Sequence, residues 1–325
     1  MIDVAVKWGI ISTARINRLF LSGARQSRSV EIAAVASREE ASAQRYATEN
    51  QIDRAYGSYE ALLADPEIEA VYVSLPNSLH LVWTMNALAA GKHVLCEKPL
   101  GRRAAEVASA FDLAEQRRLV LMEAFMYRHN PQTRRVTELV GGGAIGRLRL
   151  IRGSFSFVAN DPTDVRLCAA LDGGALMDVG CYCLNGARLI AGEPERVSAE
   201  QVLGGDGVDV AFTGMLRFPG DVLAQFDAGL ALAARDELEV VGDDGSLFLD
   251  DPWHCRDPVI DLRRGGELQR IEFEPVDSYM LEAENMSAAI RGDAEPLLGR
   301  ADAVSQAHAI EALYEAADTG QVVPV

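Results

Sequence analysis

Residues 91–101 read GKHVLCEKPLG, and this stretch decides the fold. His93, Val94, Leu95 and Cys96 make a short, mostly apolar run bounded by Gly91 and Pro99. That is the pattern of a parallel strand buried on both faces, too short for a core helix. Glu97, Lys98 and Pro99 follow at its carboxyl end. In an open α/β sheet, ligands bind outside the carboxyl ends of the strands, so Lys98 stands at the mouth of a site. Pro99 lacks a backbone donor and restricts the residue before it, which limits the directions in which Lys98 leaves the strand. The competing reading is a solvated Glu97–Lys98 charge pair on a βα loop. The flanking sequence decides between them.

Upstream, residues 4–11 (VAVKWGII) read as a strand and residues 13–22 as the helix after it. A dinucleotide-binding unit carries a glycine-rich turn here. In this chain only Gly9 remains, and Ser12, Ala14 and Asn17 stand where the other glycines would be. Small residues still let phosphate approach a helix N-terminus, whose free N–H groups favour an anion. Gly9, Ser12, Thr13, Ala14, Arg15 and Ile16 are therefore candidate cofactor contacts. The second strand, VEIAAVA at 30–36, ends in Ser37 and Arg38. An NAD site places an acid here for the ribose 2′-hydroxyl; a hydroxyl and a guanidinium suit a 2′-phosphate instead. The expected cofactor is NADP, with NAD as the alternative. Glu39 and Glu40 read as first-turn residues of the next helix.

The alternation continues with a helix at 58–64, a strand at 70–74 and a helix at 79–90. After the Lys98 strand come a helix at 104–116 and a strand at 119–123. Strands and helices in turn mean βαβ units around a parallel sheet. Leu75, Pro76, Asn77 and His80 follow a strand's carboxyl end and, with Glu97, join the candidate cofactor residues. Residues 1–123 thus read as a doubly wound Rossmann domain, and 124–325 as a second, α+β domain.

In that second half, residues 126–140 read as a helix interrupted by Pro131 and ended by three glycines at 141–143. Strand-like segments follow at 148–158, 196–203, 208–218, 222–230, 236–241, 246–249, 259–262 and 268–273. Hairpin signals at 218–221 and 264–266 make the sheet mostly antiparallel. One apolar helix, 173–190 (GGALMDVGCYCLNGARLI), interrupts the strands. Asp178 and Tyr182 lie four apart, on one helix face. A carboxylate in so apolar a helix is costly unless paired, and Lys98 is the expected partner.

Composition bounds the rest. The chain's 325 residues suffice for about two domains. A net charge of −17 argues against nucleic-acid binding, which requires a basic surface. There is no 18-residue apolar run, and no signal peptide or membrane anchor is read, so a cytoplasmic location is expected. Cys181 and Cys183 are too differently directed on a helix to share a metal; with Cys96, Cys168 and Cys255 they read as free thiols, and no metal site is expected.

In order along the chain, WGIIST, VSLPNSLH, CEKPL, MEAFMYRHNPQ, GGALMDVGCY and DAVSQAHAIEALYEAA resemble the glucose–fructose oxidoreductase / inositol dehydrogenase / rhizopine-catabolism protein family. The resemblance covers almost the whole chain. It implies an NAD(P)-dependent oxidoreductase of sugars, polyols or cyclic diols. It also implies a Rossmann domain followed by an α/β domain whose large open sheet forms a homodimer or homotetramer interface. Lys98 is implied as the lysine near the nicotinamide, with a cis peptide to Pro99, and Asp178 as the aspartate beside it. Many members have histidine where this chain has Tyr182. Tyrosine there resembles the dihydrodiol and xylose dehydrogenase branch, in which it is the acid/base. A free tyrosine has a pKa of about 10, so it needs a neighbouring cation, a part that Lys98 can play. Tyr127, Arg128, Phe157 and Arg166 are candidate substrate contacts. The competing functions are a reductase of nucleotide-linked keto-sugars and a non-catalytic dinucleotide sensor of the same fold.

Overall fold

The computed structural model describes residues 5–325. Val4, where the first strand is expected to begin, and the three residues before it lie outside the described residues. The chain forms two compact units. The first combines residues up to Gly101 with Ala105–Met126 and Asp277–Val304. The second combines Arg102–Ala104, Tyr127–Val276 and Ser305–Val325. Where the sequence reading divides the chain at 123/124, these units are not contiguous in sequence: residues 277–304 return to the first.

In the first unit, β1 (Val6–Ile11), β2 (Val30–Ala36), β3 (Arg54–Tyr56), β4 (Ala70–Val73), β5 (His93–Glu97) and β6 (Leu121–Ala124) form one parallel sheet ordered β3-β2-β1-β4-β5-β6. Val71, Val73, Val94 and Leu95 are buried, which accounts for their unbroken apolar runs. Strand order reverses between β1 and β4, the switch point where open α/β sheets bind ligands. The connecting helices are α1 (Asn17–Ala24), α2 (Glu40–Glu49), α3 (Tyr59–Leu63), α4 (Asn77–Ala89) and α5 (Ala104–Arg117). The expected helix at 13–22 starts only at Asn17, because residues 12–16 are spent on a turn.

In the second unit, Pro131 does not interrupt a helix; it opens one. A short 3₁₀ turn, Met126–His129, ends before α6 (Pro131–Gly141), and the Asn130 side chain accepts the Gln132 N–H. Proline suits the first helical position because its missing N–H has no partner to lose there. The sheet has nine strands, of which β7 (Leu148–Val158) is central. α7 (Cys181–Ala191) precedes β8 (Arg196–Leu203), β9 (Asp209–Phe218), β10 (Val222–Gly229), β11 (Ala231–Gly242) and β12 (Gly245–Asp250). β13 (Val259–Arg264) and β14 (Glu267–Glu272) complete one edge and β15 (Val323–Pro324) the other. Only β7 and β10 pair in parallel; the other pairs are antiparallel, as the hairpin signals predict.

α8 (Ser278–Arg291) belongs to the first unit. Asp277 caps it by accepting the Tyr279 and Met280 N–H groups. At Gly23 of α1 a Cβ would fall 2.5 Å from the Met280 nitrogen, so glycine permits the two helices to touch. Arg291 closes the other end on Glu69 at 2.6 Å. The last helix, α9 (Arg300–Thr319), precedes β15.

Candidate active site

The expected phosphate turn is built on a buried polar network. Ser12 lies at φ +133°, a region that glycine enters freely and serine enters only when held. Its Oγ is 2.8 Å from Ser74 Oγ and 3.0 Å from the Ser74 carbonyl, across the β1/β4 switch point. Asn17 donates to the Ser12 carbonyl at 3.0 Å and accepts from Ser74 Oγ at 2.6 Å. These bonds replace the conformational freedom of the missing glycine. Ala14 donates its N–H to Ser12 Oγ, while Thr13 and Ile16 are half-buried and Arg15 is exposed. Among the described residues no side chain caps α1, and its first turn carries no acid, a helix N-terminus open to an anion. Gly9 serves packing: a Cβ there would fall 2.7 Å from Leu62. Ser37 donates its backbone N–H to Tyr56, and Arg38 is exposed, without an ion pair among the described residues.

Lys98 follows β5, inside a turn whose main chain is tied by buried side chains. The Lys98–Pro99 peptide is cis, as the resemblance implies. Glu97 accepts the Lys98 N–H at 3.2 Å and the Tyr72 hydroxyl. Burial and the Glu97 charge push the Tyr72 pKa well above its ordinary value, so that hydroxyl stays a donor. Glu123 accepts the Leu100 N–H at 2.7 Å. His80, on the first turn of α4, is 1% exposed and spends both ring nitrogens on main-chain carbonyls of Pro99 and Leu75. It thereby ties the Lys98 turn to the turn of Leu75, Pro76 and Asn77.

In the second unit, Asp178 lies in a π-helical turn, Leu176–Gly180, and only from Cys181 does the chain become α-helical. The expected α-helix from 173 is thus replaced by this wider turn, a feature often found at functional sites. Gly173 and Gly174 precede it because nothing larger fits: Cβ atoms there would fall 2.4 Å from the Arg166 carbonyl and 2.1 Å from Asp209. Asp209 accepts the Leu176 N–H at 2.7 Å and the Tyr314 hydroxyl at 2.9 Å; burial raises its pKa to about 6. The Asp178 carboxylate is met within its own unit by Arg166, Nε to Oδ2 3.4 Å, a partner that the sequence reading did not choose. Arg166 also lies over the Phe157 ring at 5.1 Å.

Tyr182 sits on the first turn of α7, 7% exposed, inside an aromatic wall. Phe155, Tyr127 and Trp253 surround its ring, with centroids at 5.4, 5.8 and 6.3 Å. Tyr127 is buried and donates to Asn185 at 2.6 Å, and Arg128 donates to the same amide oxygen at 3.0 Å. Asn185, Gln306 and Arg188 continue that network inside the unit. Sequence reasoning missed Phe155, Trp253, Asn185 and Gln306; an amide in so apolar a helix as α7 was the available signal. His254 packs edge-on against Phe155 at 5.3 Å. Burial opposes its charge, yet hydrogen bonds to Asp236 and Asp251 raise its pKa to about 8. Asp236, Asp251 and His254 bring ligand-type atoms within 4.8 Å of one another, but Arg256 stands 2.9 Å from Asp251 and already balances charge there.

Comparison with known proteins bears on the whole chain. Residues 6–125 match the oxidoreductase family with an NAD-binding Rossmann fold, and residues 133–248 match the GFO/IDH/MocA C-terminal domain. The chain is 39% identical to D-xylose 1-dehydrogenase (NADP⁺) 2 of Haloferax volcanii, over 97% of this chain and 98% of that one. It is 35% identical to trans-1,2-dihydrobenzene-1,2-diol dehydrogenase of Sus scrofa, over 78% and 76%. Among solved structures it is similar to a 3-ketoreductase from Actinomadura kijaniata in complex with NADP and TDP-benzene. There the TM-score is 0.91 at 31% identity, covering 96% of this chain and 98% of that one.

Proposed function

As the chain belongs to the GFO/IDH/MocA oxidoreductase family, we propose that it is an NADP-dependent dehydrogenase that oxidises a sugar, polyol or cyclic diol at a carbinol carbon. The observation that carries this reading is the held tyrosine: Tyr182 is fixed by three aromatic rings on the first turn of α7, one turn beyond Asp178. Asp178, which Arg166 meets at 3.4 Å, lies four residues before it. The residues that would hold the cofactor are the Ser12–Ile16 turn for the pyrophosphate, Ser37 and Arg38 for the 2′-phosphate, and the Leu75–Asn77 turn. When bound, the nicotinamide supplies the hydride acceptor.

In this reading Tyr182 takes the hydroxyl proton of the substrate, Lys98 has the part at the substrate oxygen that the resemblance implies for it, and Asp178 binds a second substrate hydroxyl. The similarity to the xylose and dihydrodiol dehydrogenases supports this substrate class. A second reading, reduction of a nucleotide-linked keto-sugar, is favoured by the similarity to the ketoreductase complexed with TDP-benzene. The exposed sheet residues Val202, Leu203 and Met215 suit an interface between copies of the chain, which light scattering of the purified protein tests.

The deciding experiment is a screen of aldoses, polyols, diols and nucleotide-linked sugars for NADP⁺ reduction or NADPH oxidation. Turnover of a free sugar or diol supports the first reading, turnover of nucleotide-linked sugars alone the second, and turnover of none the sensor. Arg38→Asp should invert cofactor preference. A charge-assisted hydrogen bond of about 1.5–3 kcal/mol corresponds to roughly 10- to 100-fold in kcat/KM. Equal or better efficiency with NAD⁺ in the unmutated protein contradicts the NADP assignment.

A further inference from the structure

His80 lies between two carbonyl oxygens: Nδ1 is 2.8 Å from the Pro99 oxygen and Nε2 is 2.7 Å from the Leu75 oxygen. A carbonyl oxygen only accepts. A neutral imidazole has one N–H, so either tautomer leaves one ring lone pair facing a carbonyl lone pair at hydrogen-bond distance. Only the imidazolium donates from both nitrogens. The ring is 1% exposed, so water is poorly placed to relieve the conflict.

The elements meeting around this ring carry the titratable groups Glu97 and Lys98 at the end of β5 and Glu123 in β6; the turn after β4 carries none. Along the Lys98 turn, three successive residues are tied through the main chain. Glu97 takes the Lys98 N–H, His80 the Pro99 carbonyl and Glu123 the Leu100 N–H. Among these ties, the one made by His80 also reaches a second turn, and only the imidazolium donates to both carbonyls.

We infer that His80 is a positioning residue for Lys98 that works as a buried imidazolium, clamping the Lys98 turn to the turn after β4. The inference rests on the reading of Lys98 as a catalytic residue, and it adds a charge state to a ring enclosed between two turns.

Two arms test it on the full chain. In ¹⁵N-histidine-labelled protein at pH 7.5, the His80 signals, assigned by their loss in His80→Gln, should show imidazolium shifts and a bonded proton on each ring nitrogen. One protonated and one bare nitrogen would overturn the imidazolium, without any variant having to fold. In the kinetic arm, His80→Gln keeps one donor for one carbonyl. Its kcat should fall about 10- to 100-fold, the scale of a misplacement of about 1 Å, while KM for NADP⁺ stays within about threefold. Its pH–kcat profile should also lose an alkaline ionisation, which mere loss of packing would not remove. Unchanged kcat and profile in His80→Gln, beside an impaired Lys98→Ala, sink the positioning role. An active Lys98→Ala locates the failure in the reading of Lys98, and the positioning role falls with it whatever the ring spectra show.

Discussion

The turn that carries Lys98 and the helix that carries Tyr182 hold their side chains by opposite means. Around Lys98 the chain has left its strand, so the main-chain N–H and C=O groups need partners, and buried Glu97, His80 and Glu123 supply them. Around Tyr182 the helix satisfies its own backbone. What remains to be fixed is the ring, and Phe155, Tyr127 and Trp253 fix it by packing. A turn is therefore pinned by charge and hydrogen bonding, a helix position by shape. The first arrangement is sensitive to protonation; the second is sensitive to volume.

That contrast orders the expected effects of mutation. Lys98→Ala removes a charge and a substrate contact and should lower kcat by at least the roughly 10²–10⁴-fold typical of acid–base catalysis, with folding intact by circular dichroism. Added to Tyr182→Phe it should cost little more than the worse single change if the two residues act as a unit; multiplying losses would show independent roles. Trp253→Ala probes the packed side. Its indole is fully buried and lies 2.8 Å from where a Cβ on Gly186 would be, so chemical melts should show a loss of about 3–5 kcal/mol. A loss below about 1 kcal/mol would mean that the wall does not hold Tyr182 by volume.

The smallest expected effect lies on the polar side. Glu282 of α8 is fully buried, and neither carboxylate oxygen has a hydrogen-bond partner among the described residues. Burial, and then the Glu97 charge, raise its pKa well above the ordinary carboxylate value. The folded chain thus keeps a proton that the unfolded chain releases near pH 4, so this group's contribution is full below that pH and is lost as pH rises towards the folded pKa. Glu282→Met should then add about 1–3 kcal/mol at pH 7.5 and less at pH 4.5, measured by urea unfolding at both. An equal gain at the two pH values would mean that Glu282 does not titrate differently on folding.

Much of this was legible in the sequence. β5 and β4 are unbroken apolar runs because both faces are covered, and the antiparallel strands show through their hairpin turns. β3 and β15 were missed because three half-buried residues and a Val-Pro pair carry no period. The return of α8 to the first unit rests on Gly23 and Asp277, which are ordinary residues until their helices meet. Lys98 and Tyr182 were legible as chemistry in apolar surroundings. The π turn at Asp178 was not, since α and π turns take the same residues. Nor was the pairing of Asp178 with Arg166, which depends on how residues 164–174 fold back rather than on spacing. His80 was legible as a residue of interest, but its contacts with the Pro99 and Leu75 carbonyls were not, because they depend on two turns meeting.

The central claim is that Tyr182 moves the proton, and the pH dependence of kcat/KM in Tyr182→Phe tests it most directly. The substitution keeps the ring and its packing and removes only the hydroxyl. The account predicts unchanged NADP⁺ affinity, a fall in kcat of about 10²–10⁴-fold, and the loss of one ionisation from the profile. Near-normal activity with the unmutated profile would contradict it and leave Lys98 as the acid/base.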